Sequence, residues 1–292
     1  MIRTVGVLGA GQMGNGIAHL FAHHLYEVTL FDIDDAQLTR AVATIRENLE
    51  RHVSNGSVDS VQVSGIMARI RPTRDLAEVH SADFIVEAAS ESVPLKLDIF
   101  RALDEAVRPG VVLASNTSSI SITRIAAATR HPERVVGMHF MNPAPVMHLV
   151  EVIRGHATSD GTFGITAALA ASLGKEVAVS QDYPGFIVNR VLIPMINEAI
   201  FALFEGIATA DDIDKGMKLG ANLPMGPLAL ADFIGLDTVL AICNVLYDGF
   251  KDPKYRPCPL LVRMVNAGML GRKSGRGFHV YQQLHRQMRD EG

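Results

Sequence analysis

Hydrophobic and polar positions switch between two periods along the first part of the chain. Thr4-Val5-Gly6-Val7-Leu8 is a short apolar run bounded by glycine, and Gln12 to Leu25 then repeats apolar residues at helical spacing. Glu27-Val28-Thr29-Leu30-Phe31 is a second run, and Ala36 to His52 reads as an amphipathic helix with Val42, Ile45 and Leu49 on one face. Further apolar runs lie at Phe84-Ile85-Val86, Val111-Val112-Leu113-Ala114, Val135-Val136-Gly137-Met138 and Leu149-Val150-Glu151-Val152-Ile153. Helical stretches such as Pro94 to Ala106 separate several of them. Strands alternating with helices predict an α/β domain built on a doubly wound parallel sheet. The pattern changes at Ser180-Gln181-Asp182-Tyr183-Pro184-Gly185, which is turn chemistry. We therefore expect one domain over 1–183 and an all-α domain over 184–292. In the second, Thr209-x-x-Asp212 resembles a capping box, Leu223 to Pro227 a loop, and Leu228 to Val245 a helix with a break near Gly235.

Composition narrows the class. A length of 292 residues agrees with two domains of roughly 150 residues each. Apolar residues at 48% and charged residues at 20% exclude a disordered chain. Lys+Arg 27 against Asp+Glu 31 leaves a net charge of −4, which argues against a nucleic-acid partner. The only cysteines, Cys243 and Cys258, read as reduced thiols of a cytoplasmic protein, and no Cys/His cluster has metal-ligand spacing. Val5 to Leu30 and Gly185 to Phe204 are apolar enough to suggest targeting or membrane segments. The first is broken by glycines, Gln12, Asn15 and histidines; the second carries Asn189, Arg190, Pro194, Asn197 and Glu198, each costly in hydrocarbon. No membrane partner is expected.

The most specific local signal is Gly9-Ala10-Gly11-Gln12-Met13-Gly14, a G-x-G-x-x-G that follows the first strand and opens the first helix. Asp32 ends the second strand, 18 residues after Gly14. Gly9 permits the tight turn, Gly11 the approach of a pyrophosphate, and Gly14 close helix–strand packing. Gln12 and Met13 belong to the helix N-terminus, whose free N–H groups attract phosphate. This is the dinucleotide-binding corner of a Rossmann-type fold. Asp32 is placed to accept the adenosine ribose hydroxyls and to repel a 2′-phosphate, so the expected cofactor is NAD rather than NADP.

A second signal lies at Gly137-Met138-His139-Phe140-Met141-Asn142-Pro143 and Leu149-Val150-Glu151-Val152-Ile153. If these runs form an antiparallel hairpin about residue 145, His139 faces Glu151. A carboxylate flanked by Leu149, Val150, Val152 and Ile153 needs a partner. The pair suits a general base with an orienting carboxylate, and it equally suits an ion pair that serves the core alone.

Longer motifs widen the picture. Ser115-Asn116-Thr117-Ser118-Ser119, the run Gly137 to Met147, Leu149 to Ile153, Pro184-Gly185-Phe186-Ile187-Val188-Asn189-Arg190, Pro224-Met225-Gly226-Pro227, Gly235-Leu236-Asp237-Thr238 and Gly271-Arg272-Lys273-Ser274-Gly275-Arg276-Gly277-Phe278 occur in this order. Together they resemble the 3-hydroxyacyl-CoA dehydrogenases over nearly the whole chain, with most similarity to the stand-alone bacterial 3-hydroxybutyryl-CoA dehydrogenases. The resemblance implies NAD-dependent interconversion of an L-3-hydroxyacyl-CoA and its 3-ketoacyl-CoA. It implies His139 as catalytic base, Glu151 as its orienting partner, and Ser118 and Asn189 as hydrogen-bond donors to the substrate. Asn142 would lie by the nicotinamide, Glu91 and Lys96 would line the cofactor site, and Lys273 would approach it. The resemblance also implies a homodimer formed through the second domain.

The sequence departs from the family at His148, at the arm tip Ser54-Asn55-Gly56, which has no lysine, and at His279, where tyrosine is usual. Two other functions fit parts of the pattern: a dehydrogenase of hydroxyacyl groups on acyl carrier protein, and a non-catalytic NAD(H)-binding structural protein.

Overall fold

The computed structural model describes residues 2–56 and 58–281. Two compact units divide the chain, Met1–Phe186 and Ile187–Gly292.

The first unit is built on one eight-stranded sheet. Its strands are β1 (Thr4–Leu8), β2 (Glu27–Phe31), β3 (Ile70–Thr73), β4 (Phe84–Glu87), β5 (Val112–Ser115), β6 (Val135–Phe140), β7 (Leu149–Arg154) and β8 (Glu176–Gln181). They lie in the order β3-β2-β1-β4-β5-β6-β7-β8. All neighbours run parallel except β6 and β7, which pair antiparallel. The helices are α1 (Gln12–His23), α2 (Asp35–Ser54), α3 (Ser60–Ala68), α4 (Val93–Ala106), α5 (Ile122–Ala126) and α6 (Asp160–Ser172). The expected doubly wound sheet is thus present.

Strand alternation sorts the apolar side chains into two cores. Val5, Val7, Leu30 and Val86 pack with Ile17 and Phe21 of α1, Ile45 and Leu49 of α2, and Leu169 of α6. Leu8, Ile85 and Leu113 point the other way, toward Phe100 and Leu103 of α4 and Ile122 and Ile125 of α5. β4 and β5 are buried on both faces, so they read in the sequence as unbroken apolar runs. Sequence reasoning misses β3 and β8. Both are edge strands: Arg71 and Pro72 interrupt β3 and are exposed, and β8 offers only the short, partly exposed run Val177-Ala178-Val179.

A buried ion pair fixes the entry to β6. Arg134 Nη2 donates to Asp104 Oδ1 at 2.7 Å and to the Asp104 carbonyl at 2.9 Å. Burial raises the Asp104 carboxyl, but the bonds from Arg134 and the Arg130 N–H outweigh it and hold its pKa below the usual range.

The second unit is helical: α7 (Val188–Phe204), α8 (Ala210–Gly220), α9 (Pro227–Ile234), α10 (Leu236–Phe250) and α11 (Pro259–Asn266). Its core gathers Ile193, Ile196, Ile200, Leu228, Leu236, Val239, Leu246 and Leu261. Thr209 caps α8, accepting the Asp212 N–H at 3.2 Å. The break near Gly235 is real: this residue, at φ +101°, separates α9 from α10. Asp232, 1% exposed, accepts the N–H groups of Phe278 and His279 and the Tyr281 hydroxyl, which ties the end of the described chain to α9. Among the described residues no single helix is long and apolar enough to cross a membrane.

α1 carries one unusual core residue. The His19 ring is 3% exposed and lies beside the rings of His23 and His52. Burial, then the two neighbouring imidazoles, lower its pKa to about 4. The folded protein therefore holds His19 neutral where the unfolded chain protonates it near pH 6.5. Its contribution to stability is complete above that pH and is lost as pH falls toward 4. Urea unfolding across this window should show a loss on the order of 3 kcal/mol that is missing from His19→Gln. Equal pH slopes for the two proteins would refute the neutral assignment.

Candidate active site

The C-terminal ends of the parallel strands carry the chemistry-bearing residues of the first unit. Gly9 turns the chain out of β1 at φ +92°, where a Cβ would lie 2.7 Å from the Ala88 carbonyl oxygen. Gly14 sits against that turn so closely that a Cβ would fall 1.7 Å from the Gly9 oxygen. At Gly11, by contrast, an added Cβ meets nothing within 4 Å. Gly11 is also the N-cap of α1, and no side chain caps the helix there. The open space and the uncapped N–H groups of Gln12, Met13 and Gly14 fit a bound pyrophosphate. Asp32 frames the same corner: it accepts the Ala10 N–H at 2.7 Å and the Asp34 N–H at 3.0 Å. These residues would hold the nucleotide end of NAD.

Three strands along the sheet from β1, the hairpin β6–β7 pairs His139 with Glu151 in direct register. Nδ1 of His139 lies 2.7 Å from Glu151 Oε2. Glu151 has no exposure, and His139 is 8% exposed. The Phe186 ring meets the imidazole edge-on with centroids 5.8 Å apart. With Nδ1–H donated to the carboxylate, the neutral ring presents a bare Nε2. Asn116 helps fix the strand, its Oδ1 accepting the Phe140 N–H at 2.9 Å. Beyond the ladder, Gln12 Nε2 donates to Asn142 Oδ1 at 3.5 Å, which brings the turn after β6 beside the start of α1.

Glu91 organises the loop after β5. Its Oε1 accepts the Thr117 hydroxyl at 2.6 Å, the Ser118 N–H at 3.0 Å, the Ser119 hydroxyl at 2.9 Å and the Ser119 N–H at 3.1 Å. The Ser118 hydroxyl is further off, at 3.3 Å. Burial raises the Glu91 carboxyl, yet these donors and the Lys96 charge leave its pKa lowered.

Lys96 has a fully buried side chain. Nζ donates to both oxygens of Glu87 at 2.6 and 2.8 Å and lies 3.5 Å from Glu91 Oε2. An ammonium this deep needs its carboxylate, and that need draws it inward from a solvated helix face. Glu87, which also accepts the Ser115 hydroxyl at 2.7 Å, is the residue that sequence reasoning misses. The available signal is a charged residue closing the apolar run of β4.

Asn189 and Lys273 belong to the second unit. Asn189 lies in the first turn of α7 and is half-buried. Lys273 Nζ donates to Asp237 Oδ2 at 2.6 Å.

Comparison with known proteins gives this geometry a context. Residues 4–183 match the 3-hydroxyacyl-CoA dehydrogenase NAD binding domain, and residues 185–281 match the 3-hydroxyacyl-CoA dehydrogenase C-terminal domain. The chain belongs to the 3-hydroxyacyl-CoA dehydrogenase family. It is 53% identical to the 3-hydroxybutyryl-CoA dehydrogenase of Bradyrhizobium diazoefficiens, over 96% of each chain. The corresponding figure for the Clostridioides difficile 3-hydroxybutyryl-CoA dehydrogenase is 45%, over 95% of this chain and 99% of the relative. The crystal structure of (S)-3-hydroxybutyryl-CoA dehydrogenase from Ralstonia eutropha superposes with a TM-score of 0.94 at 50% identity, covering 97% of this chain and all of that one. This 3-hydroxyacyl-CoA dehydrogenase family member is thus an NAD-dependent oxidoreductase.

The glycine geometry separates folding from cofactor binding. Gly11→Ala should keep wild-type thermal stability while NADH affinity, read by fluorescence titration, falls at least about tenfold, equivalent to ~1.4 kcal/mol of lost phosphate contact. Gly14→Ala forces a backbone clash and should cost more than about 3 kcal/mol of folding stability. An unchanged NADH affinity in Gly11→Ala would remove that residue from the phosphate site.

Proposed function

We propose that this protein interconverts L-3-hydroxybutyryl-CoA and acetoacetyl-CoA, with His139 as general base and acid. The observation that carries the reading is the 2.7 Å bond between His139 and Glu151 in a sheet that also bears the NAD corner. The similarity to 3-hydroxybutyryl-CoA dehydrogenases over nearly the full length supports the short acyl chain.

Bound NAD supplies the two-electron chemistry of the oxidation. His139 Nε2 takes the proton of the 3-hydroxyl, and the imidazolium that forms is stabilised by Glu151. Glu151 also fixes the tautomer, since Nδ1–H already points at its carboxylate. Ser118 donates to the 3-oxygen as negative charge grows there. Its bond to Glu91 is the longest of that set, so the hydroxyl can turn to a substrate. The family resemblance assigns Asn189 as a second donor, Asn142 as a neighbour of the nicotinamide, Glu91 and Lys96 as lining of the cofactor site, and Lys273 as a cofactor contact. In the reverse direction imidazolium returns the proton.

The second unit, Ile187–Gly292, is assigned to substrate binding and dimerisation. Val191 of α7, Leu219 of α8 and Phe233 of α9 are large apolar side chains exposed by 60% or more. Apolar exposure of this kind suits a subunit interface. The unpaired, buried thiols of Cys243 and Cys258 suit a reducing, cytoplasmic setting.

Two measurements test the reading. NADH oxidation with acetoacetyl-CoA should be fast, and His139→Ala should lower kcat by roughly 10²–10⁴ with NADH affinity intact. A wild-type protein inert toward acetoacetyl-CoA, or a His139→Ala variant with normal turnover, would overturn it. Sedimentation equilibrium at micromolar concentration should return twice the chain mass of 31.6 kDa, and a purely monomeric species would refute the dimer.

A further inference from the structure

Lys175 is a buried cation that the mechanism above does not use. It follows Gly174, at φ +67°, in the link from α6 to β8, and it is 7% exposed. Among the described residues no carboxylate pairs with it. Instead Nζ donates to the carbonyls of Ala144 at 2.8 Å and Met147 at 2.7 Å, with the Pro145 carbonyl at 3.5 Å. All three belong to the turn between β6 and β7. Burial lowers the lysine pKa, so the ammonium is kept there at a cost that three carbonyl dipoles must offset.

The turn needs such an anchor. The ladder between β6 and β7 ends at Phe140 opposite Val150, so its hydrogen bonds do not reach residues 141–147. On one side the turn packs against α1: a Cβ on Gly16 would lie 3.4 Å from Pro145 Cδ and 3.5 Å from Ala144 Cβ. At its start, Asn142 meets Gln12 at the opening of the same helix. The turn is therefore clasped between the ammonium of Lys175 and the helix whose N-terminus faces the NAD phosphates.

The geometry points to Lys175 as a positioning residue: by gathering the turn carbonyls it sets where Asn142 stands relative to the cofactor. The inference rests on the assignment of Asn142 beside the nicotinamide. It leaves the His139–Glu151 pair to the strand ladder, so the proton-transfer machinery and the cofactor contact should respond separately.

Lys175→Met tests it by NADH fluorescence titration without substrate. NADH affinity should fall by about tenfold. The pH profile of turnover, which reports His139, should stay in place. In an Asn142→Ala background the same change should lower NADH affinity less than about twofold further, because residues coupled through a shared backbone shift are not additive. A folded Lys175→Met protein with wild-type NADH affinity, or the full tenfold loss in the Asn142→Ala background, would overturn the proposal. Should Lys175→Met fail to fold, Lys175→Arg keeps the charge on a planar fork that cannot direct three donors to one cluster. It should show a smaller but measurable loss of NADH affinity, and an unchanged affinity would again overturn the proposal. Inactivity of the wild type toward acetoacetyl-CoA would defeat the substrate assignment and leave the titration result to decide the role of Lys175.

Discussion

A carboxylate with no solvent exposure sits in the middle of a β-strand, and the architecture around it follows from the need to give it a partner. Glu151 is flanked on its own strand by Val150 and Val152, both fully buried. Left alone there, an ionised carboxylate would cost several kcal/mol. The antiparallel register answers this by setting His139 directly across, on the same face of the sheet. A slip of one residue would put the carboxylate opposite Met138 or Phe140, both apolar and buried. The bond that orients the imidazole and the antiparallel register thus depend on each other.

Other charges, most of them buried, fix the loops around this pair. Arg134 and Asp104 anchor the chain as it enters β6, and Lys175 gathers the turn that leaves it. Glu87 holds Lys96, Lys96 lies beside Glu91, and one oxygen of Glu91 collects the donors of Thr117, Ser118 and Ser119. Apolar replacements of buried ion pairs are often neutral for stability. Stability alone therefore does not account for these groups. What an apolar side chain cannot do is point: each of these charges takes hydrogen bonds from, or gives them to, a defined stretch of irregular backbone. Such backbone has no ladder of its own to hold it.

That difference also decides what could be read from the amino-acid order. The glycine loop, Asp32 and the His139–Glu151 pairing are visible because local rules govern them: a turn conformation, a strand end, a count from a hairpin centre. β4 and β5 are visible because burial on both faces makes them continuous apolar runs. β3 and β8 are harder to see: Arg71 and Pro72 interrupt β3, and the run Val177-Ala178-Val179 of β8 is short and partly exposed, as suits an edge. Lys96 and Lys175 are illegible for another reason. A lysine in a helix or after a glycine looks solvated until the fold brings Glu87, or the turn carbonyls of Ala144 and Met147, to its end. Ala144 lies thirty-one residues from its lysine, and Glu87, nine residues from Lys96, stands on a strand whose pairing with the helix no turn or register rule fixes. Tertiary contacts of that kind leave no periodic trace.

The departures from the family pattern can be weighed by the same logic. His148 stands exposed at the end of the turn, where its carbonyl, and not its ring, accepts the Glu176 N–H at 2.8 Å. Any side chain can occupy such a position. His279, where the family has tyrosine, is taken up within the second unit: Nε2 lies 2.8 Å from Asp214 Oδ2. Asp214 already accepts the N–H groups of Leu228 and Ala229, so the imidazole completes a carboxylate that caps α9 from outside the helix. The arm tip differs: Asn55, at the end of α2, lines a cleft with Gln12 of α1 and with Asn142 to Val146 of the turn after β6. The changes at His148 and His279 fall where the local backbone or a neighbouring carboxylate absorbs them. No comparable exchange is open to Glu151: a shorter or neutral side chain there would strip the imidazole of its orienting charge, and an apolar one would leave Nδ1–H buried without an acceptor.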